Sequence, residues 1–335
     1  MCLTRSKRRT KRGCFVLAWG KKKKEGMEKR EFGELIMQKM AARLGENVEI
    51  RLQEVRKNNG VIKLGLMVND KSKNIAPTIY LDETYLDYER GRKLEEILNV
   101  LSDNLKRGMP RAKIDMEFFA DYEKVRDKIC YKLINFEKNE TLLEDVPYVP
   151  FLDLAICFFY PFWHEEIGGG SILIKNDHVK KWGVSVRDLW NAANANTREL
   201  YPESCCPMDG VLMELAGREP QPWPALPEKD WGAYCMTVLT NRQRVYGAAV
   251  ILYDGYLERI AEILKASFYV VPSSIHEVLL LPILEGGDQR ELRNVIREVN
   301  DENIDPQDVL SDNLYRYDRV KKRVEIVQMT ESQIP

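Results

Sequence analysis

The chain has 335 residues, with 51 lysine and arginine side chains against 52 aspartate and glutamate side chains, so its formal net charge is −1. That balance argues against a protein that binds nucleic acid or a membrane surface through its overall charge. Hydrophobic residues make up 44% of the chain, which is ordinary for a globular protein, and the length predicts two domains.

Residues 1–26 differ from the rest of the chain, because their ten lysines and arginines stand against the single Glu25. Such runs can neutralise phosphates or act as import signals, and they are also typical of solvated tails. The apolar stretch at residues 14–20 has a core of only about six residues, which is short for a secretory signal. We predict that residues 1–26 form a disordered basic tail without a specific nucleic-acid partner.

The cysteine pattern and the hydropathy bear on the protein's location. Seven cysteines occur without the spacing of a disulfide framework and without a CxxC pair, which favours a reducing compartment. The most apolar run, residues 150–163, is too short to span a bilayer and contains Asp153 and Pro161. We expect a cytoplasmic protein without a membrane partner.

Residues 27–110 predict a small α+β unit. An apolar stripe over residues 32–44 is typical of an amphipathic helix. Two alternating stretches, 48–55 and 61–69, flank an Asn-Gly turn and predict a β-hairpin. The elements expected next are a third strand at 76–82 and two helices, one from about residue 84 and one over 93–108.

Residues 111–330 predict a larger domain. Residues 128–138 and 172–175 read as strands, and residues 146–160 are apolar on both faces, which suits a central strand. Its later elements are expected to be a helix at 185–200, a hairpin of 234–240 with 246–253, a helix at 255–265, strands at 268–272 and 277–282, a helix at 288–300, and a final hairpin of 313–319 with 323–328. We therefore predict an α+β fold: a small antiparallel sheet with helices, then a larger mixed or antiparallel sheet domain with packed helices.

The sequence offers four weak candidates for catalytic residues: His276, Glu277, Ser273 and Ser274. His276 would act as a general base, either serine as the nucleophile, and a distant acid such as Asp312 would complete the set. Adjacent residues of an extended chain point to opposite faces, so His276 and Glu277 cannot easily pair with each other.

The same stretch is also typical of a turn, because short hydroxyl side chains that follow a proline bond the local backbone. We predict an exposed turn at His276 that joins an antiparallel strand pair. Val270, Leu279 and Leu281 of that pair are expected in the core against the helix at 255–265. Catalysis at His276 stays the alternative.

Neither a metal site nor a cofactor site is predicted. A site built from His164, Glu165 and His178 is conceivable, but zinc requires three or four ligands and no HExxH pattern occurs. The GGGS stretch at 168–171 precedes a strand instead of a helix, so we expect a flexible loop there and no phosphate cradle. The proline-containing stretch at 218–231 is expected to be a surface linker, with docking on a partner as the alternative.

Aromatic residues are expected in the core. None of Trp182, Trp190, Tyr246 and Tyr253 is interleaved with a basic stripe, as the stacking platform of a nucleic-acid-binding protein would be. A role of these rings in ordered nucleic-acid binding is therefore disfavoured.

Several long blocks, at 146–160, 172–197, 238–261, 268–282 and 309–319, occur in a fixed order along the chain. They resemble the hallmark blocks of a bacterial domain-of-unknown-function family, numbered fifty-six eighty-eight, of anaerobic Gram-positive gut bacteria. The resemblance covers about residues 27–328 and leaves out the basic tail. It implies a bacterial protein and supplies neither an activity nor catalytic residues.

Two functional hypotheses follow from the sequence. The first is a non-enzymatic cytoplasmic binding or accessory protein with an unknown protein or small-molecule partner, because no motif assembles a nucleophile, a base and an electrophile. The alternative is a hydrolase-like enzyme that uses His276 and Glu277 with Ser273 or Ser274.

Overall fold

The structure is a computed structural model, and it describes residues 27–45, 47–109, 113, 116–165, 168–219, 221–227, 236–283 and 288–328. The predicted basic tail, residues 1–26, lies outside the described residues, and so does the predicted boundary between residues 110 and 111. The division into domains therefore stays a prediction.

The first unit is a helix packed on a three-stranded antiparallel sheet, with two further helices. Phe32, Ile36 and Met40 repeat at helical spacing and are fully buried. With Leu66 and Leu101 they belong to a hydrophobic cluster of this unit alone. The elements are α1 (Lys29–Leu44), β1 (Val48–Arg56), β2 (Ile62–Asp70), β3 (Thr78–Tyr80), α2 (Asp82–Glu89) and α3 (Leu94–Gly108), in the predicted order.

The turn between β1 and β2 docks the first unit on the rest of the chain. Asn59 has a φ of 58°, which asparagine tolerates better than most residues. Its side chain donates hydrogen bonds to the carbonyl oxygens of Pro306 (2.8 Å) and Val309 (2.7 Å). Its Oδ1 accepts a hydrogen bond from Asn139 at 2.9 Å. The predicted hairpin is confirmed.

A four-stranded antiparallel sheet follows, with β6 at its centre. Phe159 of β6 pairs with Cys130 on one side and with Leu173 on the other. Beyond Phe159, β6 and β7 continue as a hairpin that extends past the end of β4. The elements are α4 (Tyr122–Val125), β4 (Cys130–Asn135), α5 (Glu140–Leu143), β5 (Tyr148–Phe151), β6 (Leu154–His164) and β7 (Gly168–Leu173).

The single strand predicted at 146–160 is two strands, and this prediction was wrong. The chain turns at Leu152, which has a φ of 55°. The next residue, Asp153, accepts hydrogen bonds from Ser311, Asn313 and Tyr315. These hydrogen bonds from residues distant in the sequence hold the turn. The apolar pattern of residues 146–160 gives no sign of the turn.

The loop predicted at 168–171 is also wrong, because these residues form the first part of β7.

The last part of the chain builds a six-stranded antiparallel sheet with the strand order β13-β12-β10-β11-β9-β8. β8 was not expected from the sequence. The predicted α+β fold is confirmed, and all three described sheets are antiparallel. The elements are α6 (Asn176–Trp182), α7 (Val186–Leu200), β8 (Glu203–Pro207), α8 (Met208–Leu215), β9 (Thr237–Asn241), α9 (Tyr256–Leu264), β10 (Phe268–Ser274), β11 (Glu277–Pro282), α10 (Gln289–Asn303), β12 (Tyr315–Asp318) and β13 (Arg323–Ile326).

The strand predicted at 246–253 is instead a 3-10 helix, Gly247–Leu252. A Cβ at Gly247 would lie 2.4 Å from the carbonyl oxygen of His276, so the chain passes too close to the neighbouring strands for another side chain. Ala248, Ala249 and Val250 are buried in the core. Close backbone packing therefore overrides the strand propensity of this apolar stretch.

One hydrophobic cluster joins the four-stranded sheet, α7, α9 and the six-stranded sheet. Val270 is buried in it, as predicted, together with Val278 and Leu280. Leu279 and Leu281 were expected there too, but they point to the opposite face of β11 and are only half-buried, beside Ile296 of α10. None of the described helices is both long and apolar enough to cross a membrane.

Candidate functional site

An open cleft of about 820 Å³ lies beside the extended end of the β6–β7 hairpin. On the β4 side, residues 160–163 of β6 have no partner strand among the described residues. These residues line the cleft, together with Lys128, which precedes β4, and with Gly169, Gly170 and Ser171 of β7. Aromatic side chains form most of its lining, among them Phe118, Phe159, Phe162, Trp163, Tyr201 and Tyr246.

Trp163 gives the cleft an exposed aromatic surface, because 70% of this residue is accessible to solvent. Its cross-strand neighbour on β7 is Gly169, and a Cβ added there would lie 3.6 Å from the indole. The glycines of β7 therefore leave the mouth of the cleft clear of side chains. Large exposed apolar surfaces that border a concave site are typical of binding sites.

Tyr246 also lines the cleft, in a conformation that bulky residues rarely adopt, with a φ of 53°. Its N–H donates a hydrogen bond of 3.2 Å to Nδ1 of His276, and the two rings stack with centroids 5.9 Å apart. The edge of Phe159 contacts the Tyr246 ring at a centroid distance of 5.1 Å. Ser171 Oγ lies 3.3 Å from the Tyr246 hydroxyl, within hydrogen-bond distance.

Side-chain contacts fix the loop that carries Tyr246. The amide of Asn241 donates to the carbonyl oxygen of Val245 at 2.8 Å and accepts from its N–H at 3.3 Å. Arg244 forms a 3.0 Å ion pair with Glu214 and stacks 3.9 Å above the ring of Trp223. These contacts hold the loop that places Tyr246 at the cleft.

The described lining of the cleft carries positive charge. Lys128 belongs to the lining, and none of the described lining residues is an aspartate or a glutamate. Lys132 Nζ lies 4.5 Å above the ring centroid of Tyr246 in a cation–π contact. Burial raises the pKa of Tyr201 to about 12, so its phenol stays neutral and adds no negative charge.

The predicted turn at His276 is confirmed, because Ile275 and His276 join the antiparallel strands β10 and β11. The His276 side chain is one-third exposed, and its Nε2 lies 3.7 Å from Oδ1 of Asp308. The Ser274 hydroxyl is buried and accepts the backbone N–H of His276 at 3.1 Å. The side chain of Ser273 lies outside the described part of the chain.

The two predicted acids do not join His276. Burial raises the pKa of the Glu277 carboxyl, and Glu277 is not part of the cleft lining. Asp312 accepts a hydrogen bond from Asn300 at 2.8 Å and pairs with Lys138 at 3.4 Å. Among the described residues, the acid in ion-pair distance of the imidazole is instead Asp308, which the sequence did not single out.

The structure also separates the metal candidates. His164 ends β6 and lines the cleft, whereas His178 lies on α6, where its Nδ1 accepts the N–H of Lys175 at 3.1 Å. Burial lowers the pKa of His178. Among the described residues, no three histidine, cysteine or acidic side chains lie close enough together to hold a metal ion.

The sequence did not reveal the cleft. Tyr246 was expected in the core, and it packs against the main hydrophobic cluster while it also lines the cleft. The signal that was available is the run FFYPFWH at residues 158–164, in which aromatic rings point to both faces of one strand. Such a run fits a strand that is buried on both faces. The described part of β4 ends opposite Phe159, however, so it does not pair with residues 160–163 of β6.

These features define an α+β protein with an open, aromatic and positively charged cleft. The chain belongs to the family of unknown function DUF5688, which matches residues 29–319. The resemblance noted in the sequence is thereby confirmed for the family, while its bacterial range stays a prediction. Comparison with curated proteins and with solved structures gave no match.

Proposed function

We propose that this is a non-enzymatic binding protein of the bacterial cytoplasm and that its ligand occupies the aromatic cleft. The observation that carries the proposal is the exposure of Trp163, at 70%, beside a cleft of about 820 Å³. Exposing an indole costs free energy that burial against a ligand recovers. The buried thiols of Cys130 and Cys157 carry no disulfide, which fits a reducing compartment.

The contacts of His276 favour binding over catalysis. Its Nδ1 already accepts the N–H of Tyr246, and the Ser274 hydroxyl is directed at the local backbone instead of at the imidazole. A serine nucleophile needs its hydroxyl within hydrogen-bond reach of the base. His276 is better explained as a residue that positions Tyr246, and the hydrolase-like alternative stays a hypothesis.

The proposal is tested with N-phenyl-1-naphthylamine, a neutral dye whose fluorescence rises in apolar sites. The wild-type protein should bind the dye, and Trp163→Ala should bind it about three- to tenfold more weakly, because an aromatic contact is lost. Trp163→Phe keeps a ring and should recover most of the affinity.

The control is Leu212→Ala on α8, which truncates another exposed apolar side chain outside the cleft. This variant should bind the dye as the wild type does. Equal binding by the wild type and Trp163→Ala would contradict the proposal, and so would a loss of binding in Leu212→Ala.

A further inference from the structure

We infer that the natural ligand of the cleft is a small molecule with a planar ring and an anionic group, and that Lys128 recognises the anion. The inference rests on the proposed binding function and adds the chemical class of the ligand. A carboxylate, a sulfonate or a phosphate would share this chemistry. Four features of the described residues support it: a lysine without a described counterion, the absence of acids in the lining, the strand edge beside the cleft, and a second lysine above the ring of Tyr246.

Lys128 differs from its neighbours, because no counterion for it occurs among the described residues. Lys124 pairs with Asp121, and Arg126 pairs with Glu123 and Asp127. Lys128 is exposed and forms no ion pair with any described carboxylate. A lysine that lines a cleft whose described lining contains no acid is complementary to an anion.

Lys128 also lies close to the aromatic surface. The β4–β6 pairing ends at Cys130 opposite Phe159, and Lys128 stands two residues before that pair. The cleft side of β6 continues there with Pro161 and Trp163, and all three residues line the same cleft. A ligand whose ring rests on Trp163 therefore has Lys128 within reach of a substituent.

The strand edge beside the cleft argues against an extended peptide as the occupant. The carbonyl of Phe158 accepts the N–H of Ile174, so Phe158 directs its backbone groups toward the β7 side. By alternation, Pro161 and Trp163 direct theirs toward the cleft. Proline has no N–H to donate, which weakens strand addition at this edge. A compact ligand fits this edge better than a β-strand does.

A second lysine, Lys132, also favours an anionic ligand. Lys132 places its ammonium group above Tyr246, 4.5 Å from the ring centroid, and forms no ion pair among the described residues. A ring that stacks near Tyr246 therefore lies in a field of two lysines. Because both are near the surface, added salt should weaken their effect.

The experiment uses competition against N-phenyl-1-naphthylamine in the full chain. The competitors are naphthalene-2-sulfonate and naphthalene-2-sulfonamide, which have the same ring and nearly the same shape and differ in charge. The wild type should bind the sulfonate about three- to fivefold more tightly than the sulfonamide, as expected for one partly exposed charge pair. This ratio should fall toward one in Lys128→Met, where only Lys132 remains, and persist in Lys128→Arg.

Lys39→Met, an exposed lysine on α1, is the control for the loss of a positive charge, and its ratio should match the wild type. A wild-type ratio of about one, or a ratio that Lys128→Met leaves unchanged, would overturn the inference while the dye still binds at Trp163. Failure of the dye itself to bind the cleft would instead overturn the proposed function.

Discussion

Tyr246 and His276 form the contact on which the shape of the cleft depends. A tyrosine with positive φ costs about 1–3 kcal/mol, and it persists only when its surroundings hold it in place. Here the holding contacts are the N–H···Nδ1 hydrogen bond to His276 and the stacking of the two rings. Strain of this kind concentrates at functional sites, which agrees with the position of Tyr246 on the cleft wall.

His276→Ala should lower the free energy of unfolding by about 1 kcal/mol, because the N–H of Tyr246 loses its acceptor. An exposed turn histidine without such a contact would contribute no more than about 0.5 kcal/mol. His276→Asn can place an oxygen near the position of Nδ1 and should restore most of the loss. Urea denaturation measures stability, and the dye titration should show weaker binding for the alanine variant alone. Wild-type dye binding by His276→Ala would contradict a positioning role.

Glu277→Gln should raise the free energy of unfolding at pH 7. Burial raises the pKa of Glu277 in the folded state, so the folded protein binds this proton more tightly than the unfolded chain does. The charged carboxylate therefore destabilises the fold at neutral pH, and this penalty disappears as the pH falls toward the unfolded value near 4.5.

Urea denaturation at pH 7 and at pH 4.5 compares the wild type with Glu277→Gln. Glu298→Gln, at an exposed position, is the control for a lost charge. Glu298→Gln should change stability little at either pH. A Glu277→Gln variant that is less stable than the wild type at pH 7 would contradict the raised pKa.

The sequence predicted the turn at His276 but did not predict which residues the imidazole contacts. Serine side chains after a proline correctly predicted the turn. The contact with Tyr246, which lies 30 residues earlier, arises because β9 and β11 are antiparallel neighbours, with Val278 opposite Leu239. No local pattern specifies which strands become neighbours, so the cleft wall could not be predicted.

The strand β11 shows why its two faces were assigned to the wrong sides of the sheet. Its sequence EVLLLP is apolar at alternate positions on both faces, so period two cannot tell which face meets the main core. The six-stranded sheet has the main hydrophobic cluster on one side and α10 on the other. Val278 and Leu280 therefore face the main core, and Leu279 and Leu281 face α10.

Leu280→Ala should cost about 2–5 kcal/mol of unfolding free energy, the range for truncating a fully buried leucine. Leu281→Ala should cost clearly less, because this side chain is only half-buried. Chemical denaturation of the two variants measures the difference. A larger loss for Leu281→Ala would contradict the register of β11.

The hairpin β6–β7 and the Gly247–Leu252 helix were misjudged for a related reason. A run of glycines is typical of a flexible loop, yet residues 168–171 complete a strand because β6 supplies its hydrogen bonds and Trp163 covers Gly169. The apolar residues 247–252 have the composition of a strand, yet close contact with the turn at His276 makes them a 3-10 helix. Tertiary contacts decided both cases.

At the scale of the whole molecule, the first unit and the remainder have separate hydrophobic clusters. Asn59 in the polar turn contributes four hydrogen bonds between them, including its own N–H to Oδ1 of Asn139 at 2.8 Å. Hydrogen bonds of this kind add modest stability and considerable directionality. The turn therefore acts as an attachment point of defined geometry.

Asn59→Gly should loosen this attachment without straining the turn, because glycine accepts a positive φ. We expect a loss of about 1–3 kcal/mol in the coupling of the two units and two unfolding transitions that no longer coincide. Fluorescence and circular dichroism followed through one urea titration would detect the separation. Coincident transitions at the wild-type midpoint would contradict a coupling role for Asn59.

We infer that the cleft at Trp163 binds a flat anionic ligand. Nuclear magnetic resonance of the indole N–H groups tests it most directly, with Trp163→Phe to assign the signal. Addition of naphthalene-2-sulfonate should shift the Trp163 signal and leave that of Trp223, which donates to Glu214 outside the cleft, in place. A shift at Trp223 with none at Trp163, or no shift at either residue, would contradict the account.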